Sequence, residues 1–311
     1  MLTKQQISMI LTGQDCFQNT EKSVRGRIIK GVGGRYTIMF PDGQVGIASA
    51  RGLFRLEDLV PAAGDKVECI DSGDPDVPWR IVHILPRRNH LLRPPIANLD
   101  GLIITVSAAE PQPDFYLADK LLTVCLINQI EPLLCLTKID LATDTDLLAG
   151  YQPTGCSMIE TSPEDESSLV ELKNWMTGRF VSFAGQSGVG KSTLLNRLFG
   201  QELMPEGHVS SRIGRGRHTT RHVELFPLND GFVADTPGFS SLELADFDIS
   251  GEQLVTGYPE IQAVADRCRF TDCRHIGEPG CAVSTGDIHP DRLLRYRFFR
   301  NQLDSIDPHN R

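Results

Sequence analysis

The segment Gly185-Gln186-Ser187-Gly188-Val189-Gly190-Lys191-Ser192 constrains the fold of this chain more than any other. An apolar run, Phe180–Ala184, precedes it, and Thr193–Phe199 follows with helical spacing. Strand, glycine loop and helix in that order are the context of a phosphate-binding P-loop. The glycines let successive backbone N–H groups turn inward around a phosphate, and the start of the helix adds the positive end of its dipole. Lys191 is placed to reach the β- and γ-phosphates, the Ser192 hydroxyl to hold Mg²⁺, and Thr193 to continue the cradle.

Such a unit belongs in a mainly parallel sheet covered on both faces. The middle of the chain supplies the remaining pieces. Gly101–Ser107 reads as a buried strand, Phe115–Ile127 as a helix and Pro132–Thr137 as a second strand. Cys156–Ser162 reads as a third strand and Ser168–Met176 as a helix. After the P-loop come strands at His222–Phe226 and Gly231–Asp235.

Two further motifs end strands of that sheet. Asp235-Thr236-Pro237-Gly238 lies 43 residues beyond Ser192, where a carboxylate can hold Mg²⁺ and the Gly238 N–H can face a γ-phosphate. Thr137-Lys138-Ile139-Asp140 is similar to the Asn-Lys-x-Asp motif by which GTPases read their base. The Asp carboxylate accepts from two guanine N–H donors, a pair adenine cannot supply, and the Lys stem covers the ring. Thr replaces Asn here, so the usual amide contacts fall to a hydroxyl or are lost. Thr161 and Ser162 are placed to cover the base, with Pro163 where such loops usually carry Ala. The base-reading motif precedes the P-loop by 45 residues, the reverse of the common order, so the domain reads as circularly permuted. Permutation leaves the domain's end just after Asp-x-x-Gly, and a further domain must anchor it.

The flanking segments have different textures. Five short runs between Val24 and Leu85, separated by Gly33-Gly34, Pro41-Asp42-Gly43 and Pro61–Gly64, read as a small β-barrel of the oligonucleotide-binding kind. Arg25, Arg27, Lys30, Arg35 and Arg51 would charge its face for RNA contact, and the alternative is a barrel used for packing. Residues 1–20 read as a loose tail and Pro86–Pro95 as a basic, proline-punctuated linker. The resulting domains are 21–92 (barrel), 97–245 (permuted GTPase) and 246–311 (helical). In the last, Pro259–Ala265 starts a helix and His289–Arg300 reads as a basic amphipathic one.

Cys268, Cys273, His275 and Cys281 offer three thiolates and an imidazole within 14 residues. Cys₃His is a closed structural zinc set, so the expectation is one structural Zn²⁺ that stabilises a small domain. The other five cysteines read as core or incidental residues.

Net charge is −9, which excludes a protein coating nucleic acid over its whole surface. Its distribution is uneven: residues 208–222 carry four Arg, three His and no acid, and 140–171 carry eight acids and no base. No 18-residue apolar run and no secretory signal occur, so the expectation is a cytoplasmic protein with no membrane partner.

A barrel, a permuted GTPase core, a Cys₃His tail and the Gly214–Thr220 stretch together resemble the ribosome small-subunit-dependent GTPases, the circularly permuted GTPases of bacterial small-subunit biogenesis. The resemblance covers about residues 22–300. It implies a monomeric late-stage assembly factor whose barrel and zinc domain contact ribosomal RNA, and whose GTP hydrolysis is slow until the small subunit stimulates it. Phe239 follows Gly238 where many GTPases keep a water-orienting Gln. His218 is the candidate to orient water instead, or else it contacts RNA, and one of Thr219 or Thr220 would join Ser192 on Mg²⁺. A nucleotide-gated RNA- or protein-binding switch with incidental hydrolysis is the second reading.

Overall fold

Gly101–Ser107, strand β8 in chain order, is buried along its whole length, and the central layers are built on it. The computed structural model describes residues 23–50, 60–143, 146–199, 223–228, 230–235 (at Asp235 the backbone only), 239, 242–286 and 288–306.

The chain begins with β1 (Val24–Val32) and β2 (Arg35–Met39), joined by Gly33 and Gly34, both at positive φ. Such a two-residue turn matches the twist of the strands it joins. Strands β3 (Val45–Ala50), β4 (Lys66–Asp71) and β5 (Trp79–Ile84) complete a barrel with the pairing β1-β2-β3-β5-β4-β1. Ile28, Ile38, Val67, Cys69 and Ile81 fill it, alternating with outward residues as a pleated strand requires.

Pro86–Pro95 differs from the linker expected. His90–Leu92 (β6) and Pro95–Ala97 (β7) form a two-stranded hairpin. Arg87 makes a two-point pair with the buried Asp65 at 2.7 and 2.8 Å, and Arg88 pairs with Asp100 at 2.7 Å. Leu91 and Ile96 enter the main core. Arg93 pairs in turn with Asp246 at 3.0 Å, so each of the three arginines of this stretch meets an aspartate.

The central sheet runs β10-β9-β8-β11-β13-β12, with β9 at Glu131–Thr137, β10 at Ser157–Thr161, β11 at Phe180–Ala184, β12 at Glu224–Leu228 and β13 at Gly231–Asp235. All neighbours are parallel except the β12–β13 edge hairpin. Leu102, Ile104 and Val106 of β8 pack under helix α1 (Phe115–Ile127), while Ile103 faces α2 (Glu166–Met176) and α3 (Lys191–Phe199). Period-two alternation along one strand therefore serves two cores. Asp114 caps α1 through the Leu117 N–H and Asp165 caps α2 through those of Ser167 and Ser168. The barrel and the sheet join through β1 and β12 at Lys30 and Glu224, whose side chains also form a 2.7 Å ion pair.

The C-terminal segment contains α4 (Pro259–Ala265) and α5 (Pro290–Ile306). Helix α5 is not simply a basic helix facing water: Arg292, Arg295 and Arg300 are all buried. Asp119 of α1, fully buried, accepts from Arg292 at 2.6 Å, Arg295 at 2.7 Å, Tyr151 at 2.5 Å and Tyr258 at 3.1 Å. Arg292 also pairs with Glu260 at 2.8 Å and donates to the Gly257 carbonyl. Two cations thus meet two anions, and burial together with the Asp119 charge holds Tyr151 and Tyr258 protonated as donors. Among the described residues no helix is long and apolar enough to cross a membrane.

Candidate functional site: a P-loop tied to a base pocket

The P-loop leaves β11 at Gly185, whose φ is +137°. A Cβ there would lie 2.1 Å from the Thr105 carbonyl oxygen of β8, so only glycine fits. Gly188 and Gly190 also take positive φ, which lets the chain curl back into the start of α3. Lys191 folds over the loop and donates to the Gly185 and Gln186 carbonyls, each at 2.7 Å. Burial lowers its basicity. Ser192 and Thr193 are exposed on the first turn of α3, while Val189 is buried beneath the loop. Under the loop a void of about 10 Å³ is lined by residues of β8, α1 and the loop itself, including Thr105 and Gln186. Thr105 Oγ1 and Gln186 Oε1 are buried without protein partners, so the void suits one bridging water.

Thr137 and Lys138 at the end of β9 reach into this loop. The Thr137 hydroxyl donates to the Val189 carbonyl at 2.6 Å, with the Val106 carbonyl at 3.2 Å as its other neighbour. The hydroxyl that stands in the Asn position of the motif thus binds the P-loop backbone. Lys138, in the left-handed conformation, donates to the Gly188 carbonyl at 2.9 Å and to that of Glu110. Asp140 stands exposed on the short turn Ile139–Leu141 that follows.

Beside this junction lies a cavity of about 80 Å³, lined by Thr137, Lys138, Thr161, Ser162, Pro163, Gly190, Thr193, Leu194 and Arg197. It brings together residues from three separate motifs of the sequence. Thr161 shares a 2.8 Å hydrogen bond with Ser168, which fixes the end of β10 to the first turn of α2. Arg197 was not singled out in the sequence. It donates to the Ser162 carbonyl at 3.1 Å and pairs with Glu166 at 2.6 Å, tying α3 to the base-side loop. Its position six residues beyond Lys191 on a helix was the available signal.

Asp235 ends β13 on the strand next to β11, at the same sheet edge as the P-loop. Its side chain, His218, Thr219, Thr220, Gly238 and Arg51 lie outside the described residues. Phe239 is buried in the core with Leu242 and Leu244. Lys120 of α1 donates to the Leu242 carbonyl at 3.2 Å and pairs with Glu243 at 2.8 Å, which anchors the chain just beyond the Asp-x-x-Gly stretch.

Cys268, Cys273, His275 and Cys281 converge, with their ligand atoms all within 4.8 Å of one another. His275 Nδ1 lies 3.5 Å from the Cys268 sulfur and 3.7 Å from that of Cys281. A tetrahedron with zinc–sulfur bonds of about 2.3 Å and a zinc–nitrogen bond of about 2.0 Å has nitrogen–sulfur edges of roughly 3.5 Å. The donor set and its spacing therefore fit zinc, with Nδ1 as the imidazole ligand. The Glu278 carboxylate accepts from the N–H groups of Arg274, Ile276 and Gly277, which holds the ligand loop in shape. Away from this cluster, burial pushes the core thiols Cys69 and Cys135 up to about 12.

Of the five basic barrel residues, Arg25 pairs with Glu68 at 3.1 Å and Lys30 with Glu224, while Arg35 is exposed and Arg27 is partly buried.

The strand order, the P-loop and the motif sequence define a circularly permuted GTPase carrying an N-terminal five-stranded barrel. The family model for RsgA GTPase matches residues 84–245 and that for the RsgA N-terminal domain matches 25–75. Among named relatives, the small ribosomal subunit biogenesis GTPase RsgA of Ruminiclostridium cellulolyticum is 42% identical over 280 residues, 87% of this chain and 91% of that protein. Its namesake in Enterococcus faecalis is 37% identical, covering 92% and 97%. The circularly permuted GTPase YloQ superposes with a TM-score of 0.75 at 32% identity, covering 94% of this chain and 99% of that one. YjeQ from Thermotoga maritima superposes at 0.72 and 30%, covering 91% and 99%. The chain belongs to the RsgA GTPase family.

Proposed function

We propose that this protein hydrolyses GTP during maturation of the small ribosomal subunit, the role its relatives' names describe for them. The observation that best supports the reading is the pair of contacts from Thr137 and Lys138 to the P-loop, which sets a base-reading strand end at a fixed distance from a phosphate cradle. In this reading Asp140 accepts from the guanine N–H donors, the Lys138 stem covers one face of the ring, and Thr161 and Ser162 close the other side. Backbone N–H groups of Gly185–Ser192 hold the phosphates. Lys191 exchanges its two loop carbonyls for β- and γ-phosphate oxygens. Ser192, Asp235 and one of Thr219 or Thr220 would hold Mg²⁺, which when bound neutralises charge on those oxygens. The Gly238 N–H would serve the γ-phosphate.

Phe239 cannot orient water: it has no polar atom and its ring is spent in the core under α1. Water positioning then falls to His218, and contact with the small subunit completes it. The barrel (21–92) and the zinc-bound segment (246–311) flank the GTPase domain (97–245) as rRNA contacts, in a monomeric cytoplasmic protein that leaves the subunit after hydrolysis.

The test is GTP turnover with and without purified small subunits. Turnover should rise well above the intrinsic rate with subunits present, and an unchanged rate at saturating subunit would overturn the reading. Lys191→Ala should lower stimulated turnover at least about a hundredfold, the scale expected when a charge on the transferring phosphoryl group is lost. His218→Ala should keep nucleotide affinity and lose most stimulation. If His218→Ala instead keeps GTP-dependent release from subunits without turnover, hydrolysis is incidental and the protein is a nucleotide-gated switch.

A further inference from the structure

Outside the P-loop and the base pocket, a cavity of about 750 Å³ lies where the barrel meets the β12–β13 hairpin. Arg25 and Arg27 of β1 and Lys66 of β4 line it from the barrel, with Phe40 beside them. Leu228, Phe232 and the cleft's one acid, Asp230, line it from the hairpin. No P-loop or base-pocket residue takes part, so this is a separate site.

Arg27 is the unusual group. Its guanidinium stands 5.0 Å from the Phe232 ring centroid and 5.5 Å from that of Phe180. Among the described residues it has no hydrogen bond and no ion pair, although a guanidinium carries five N–H donors. Burial lowers its basicity, with Asp100 acting to raise it and Arg88 adding to the depression. A planar cation held on aromatic rings, partly desolvated and with its donors unused, is arranged to receive an anion bearing a flat ring. Lys66, the exposed Arg25, whose Nε also pairs with Glu68 at 3.1 Å, and largely apolar walls complete that description. The volume falls within the range of sites that enclose one small ligand, and it is too small to admit a duplex.

We propose that this cleft takes one unstacked nucleotide of single-stranded RNA, the base lying against the Arg27 plane and the phenyl walls, and the flanking phosphates against Arg25 and Lys66. Stacking on an aromatic or guanidinium plane, together with backbone phosphate contacts, is how unpaired RNA is held without duplex geometry. Among the described residues the barrel pairs with the sheet at Lys30 and Glu224, and a nucleotide in this cleft would lie beside that seam, in contact with both. The inference rests on the ribosome-maturation reading only for the source of the RNA.

The experiment uses the full zinc-loaded chain with Mg²⁺ and a non-hydrolysable GTP analogue. The probe is an eight-nucleotide single-stranded RNA carrying one internal 2-aminopurine, read by anisotropy and by base fluorescence. Binding should quench the 2-aminopurine. Arg27→Gln should weaken binding at least tenfold and abolish the quench, and Lys66→Gln should weaken it several-fold. Arg80→Gln, on β5, removes the same charge from the barrel outside the cleft and should change affinity less than threefold. Thermal melting reports whether Arg27→Gln folds; if it does not, the comparison of Lys66→Gln with Arg80→Gln decides. Equal loss at Arg27 and Arg80 would mean diffuse attraction and overturn the site. So would displacement of the probe by an RNA duplex, by GMP or by a phosphoserine peptide at matched concentration. Subunit-stimulated turnover alongside an unbound oligonucleotide would refute the cleft and leave the GTPase reading standing.

Discussion

Asp119→Ala should cut the hydrogen-exchange protection of helix α5 by at least about a hundredfold. Asp119 is the point at which the GTPase domain holds the C-terminal segment: two arginines of α5, Tyr258 ahead of α4 and Tyr151 all donate to its two oxygens. Arg292 and Asp119 are both fully buried, and Arg295 nearly so. Removing the carboxylate leaves two guanidinium groups facing a single remaining anion, Glu260. Breaking a buried pair by deleting one partner costs about 3–5 kcal/mol, because the other charge is left unsolvated. Every 1.4 kcal/mol is about a factor of ten, which sets the hundredfold floor. Asp119→Asn keeps the shape and one acceptor oxygen but loses the charge and turns an NH₂ donor toward two of the four donating groups, so it should fall between. The barrel strands β1–β5, with their own core, should keep their protection in both variants. A loss under tenfold in α5 would mean the network is worth no more than an exposed ion pair, against its burial. Arg295→Ala added to Asp119→Ala should cost less than the sum of the two, since the pair shares one interaction.

Removing zinc should have the second large effect. The ligand loop is short of apolar material: Cys281 and Val283 are buried, but Phe270 is 45% exposed. Its shape rests on the ligand set, on Glu278 and on α5, through Tyr296 to the Arg274 carbonyl at 3.1 Å and Arg297 to the His275 carbonyl at 3.4 Å. In small zinc domains, metal binding supplies on the order of 10–16 kcal/mol, more than such a loop can replace. We therefore expect one zinc per chain by elemental analysis. Chelation should abolish protection across residues 268–281 and weaken α5, while GTP binding persists. Cys273→Ser should lower zinc content in the same way. Metal-free protein that keeps its exchange pattern in this loop would show that the cluster folds without metal.

The two effects are linked. The zinc loop grips α5, α5 grips Asp119, and α1, which carries Asp119, also lines the void beneath the P-loop through Leu117 and Ala118. Lys120, the next residue, fixes the chain beyond Asp-x-x-Gly. One helix thus touches the phosphate loop, the chain beyond Asp-x-x-Gly and the C-terminal segment.

What was legible in the sequence follows from what is short-range in chemistry. A P-loop is consecutive residues whose backbone forms the site, so Gly185–Ser192 could be read directly. The Cys₃His set is compact for the same reason, and Gly101–Ser107 announced a central strand because burial on both faces leaves no charged position. Even the permutation was visible, since it is a matter of motif order. The linker and the basic helix were misjudged for one reason: Arg87, Arg292 and Arg295 are satisfied by acids 22, 173 and 176 residues away, and local composition carries no trace of such partners. An aspartate in the apolar stretch Phe115–Ile127 was the one hint, as a buried acid requires a cation.

By itself, then, the sequence determined that a phosphate loop, a guanine-type strand end and a zinc-type ligand set exist in this chain, because each is defined by spacing within a few residues. The tertiary structure alone decided that the Thr137 hydroxyl meets the P-loop carbonyl 52 residues on, that Phe239 is core, and that Arg27 faces a cleft between two domains. Those outcomes depend on which elements the sheet order brings together and on which charges are stripped of water when they meet.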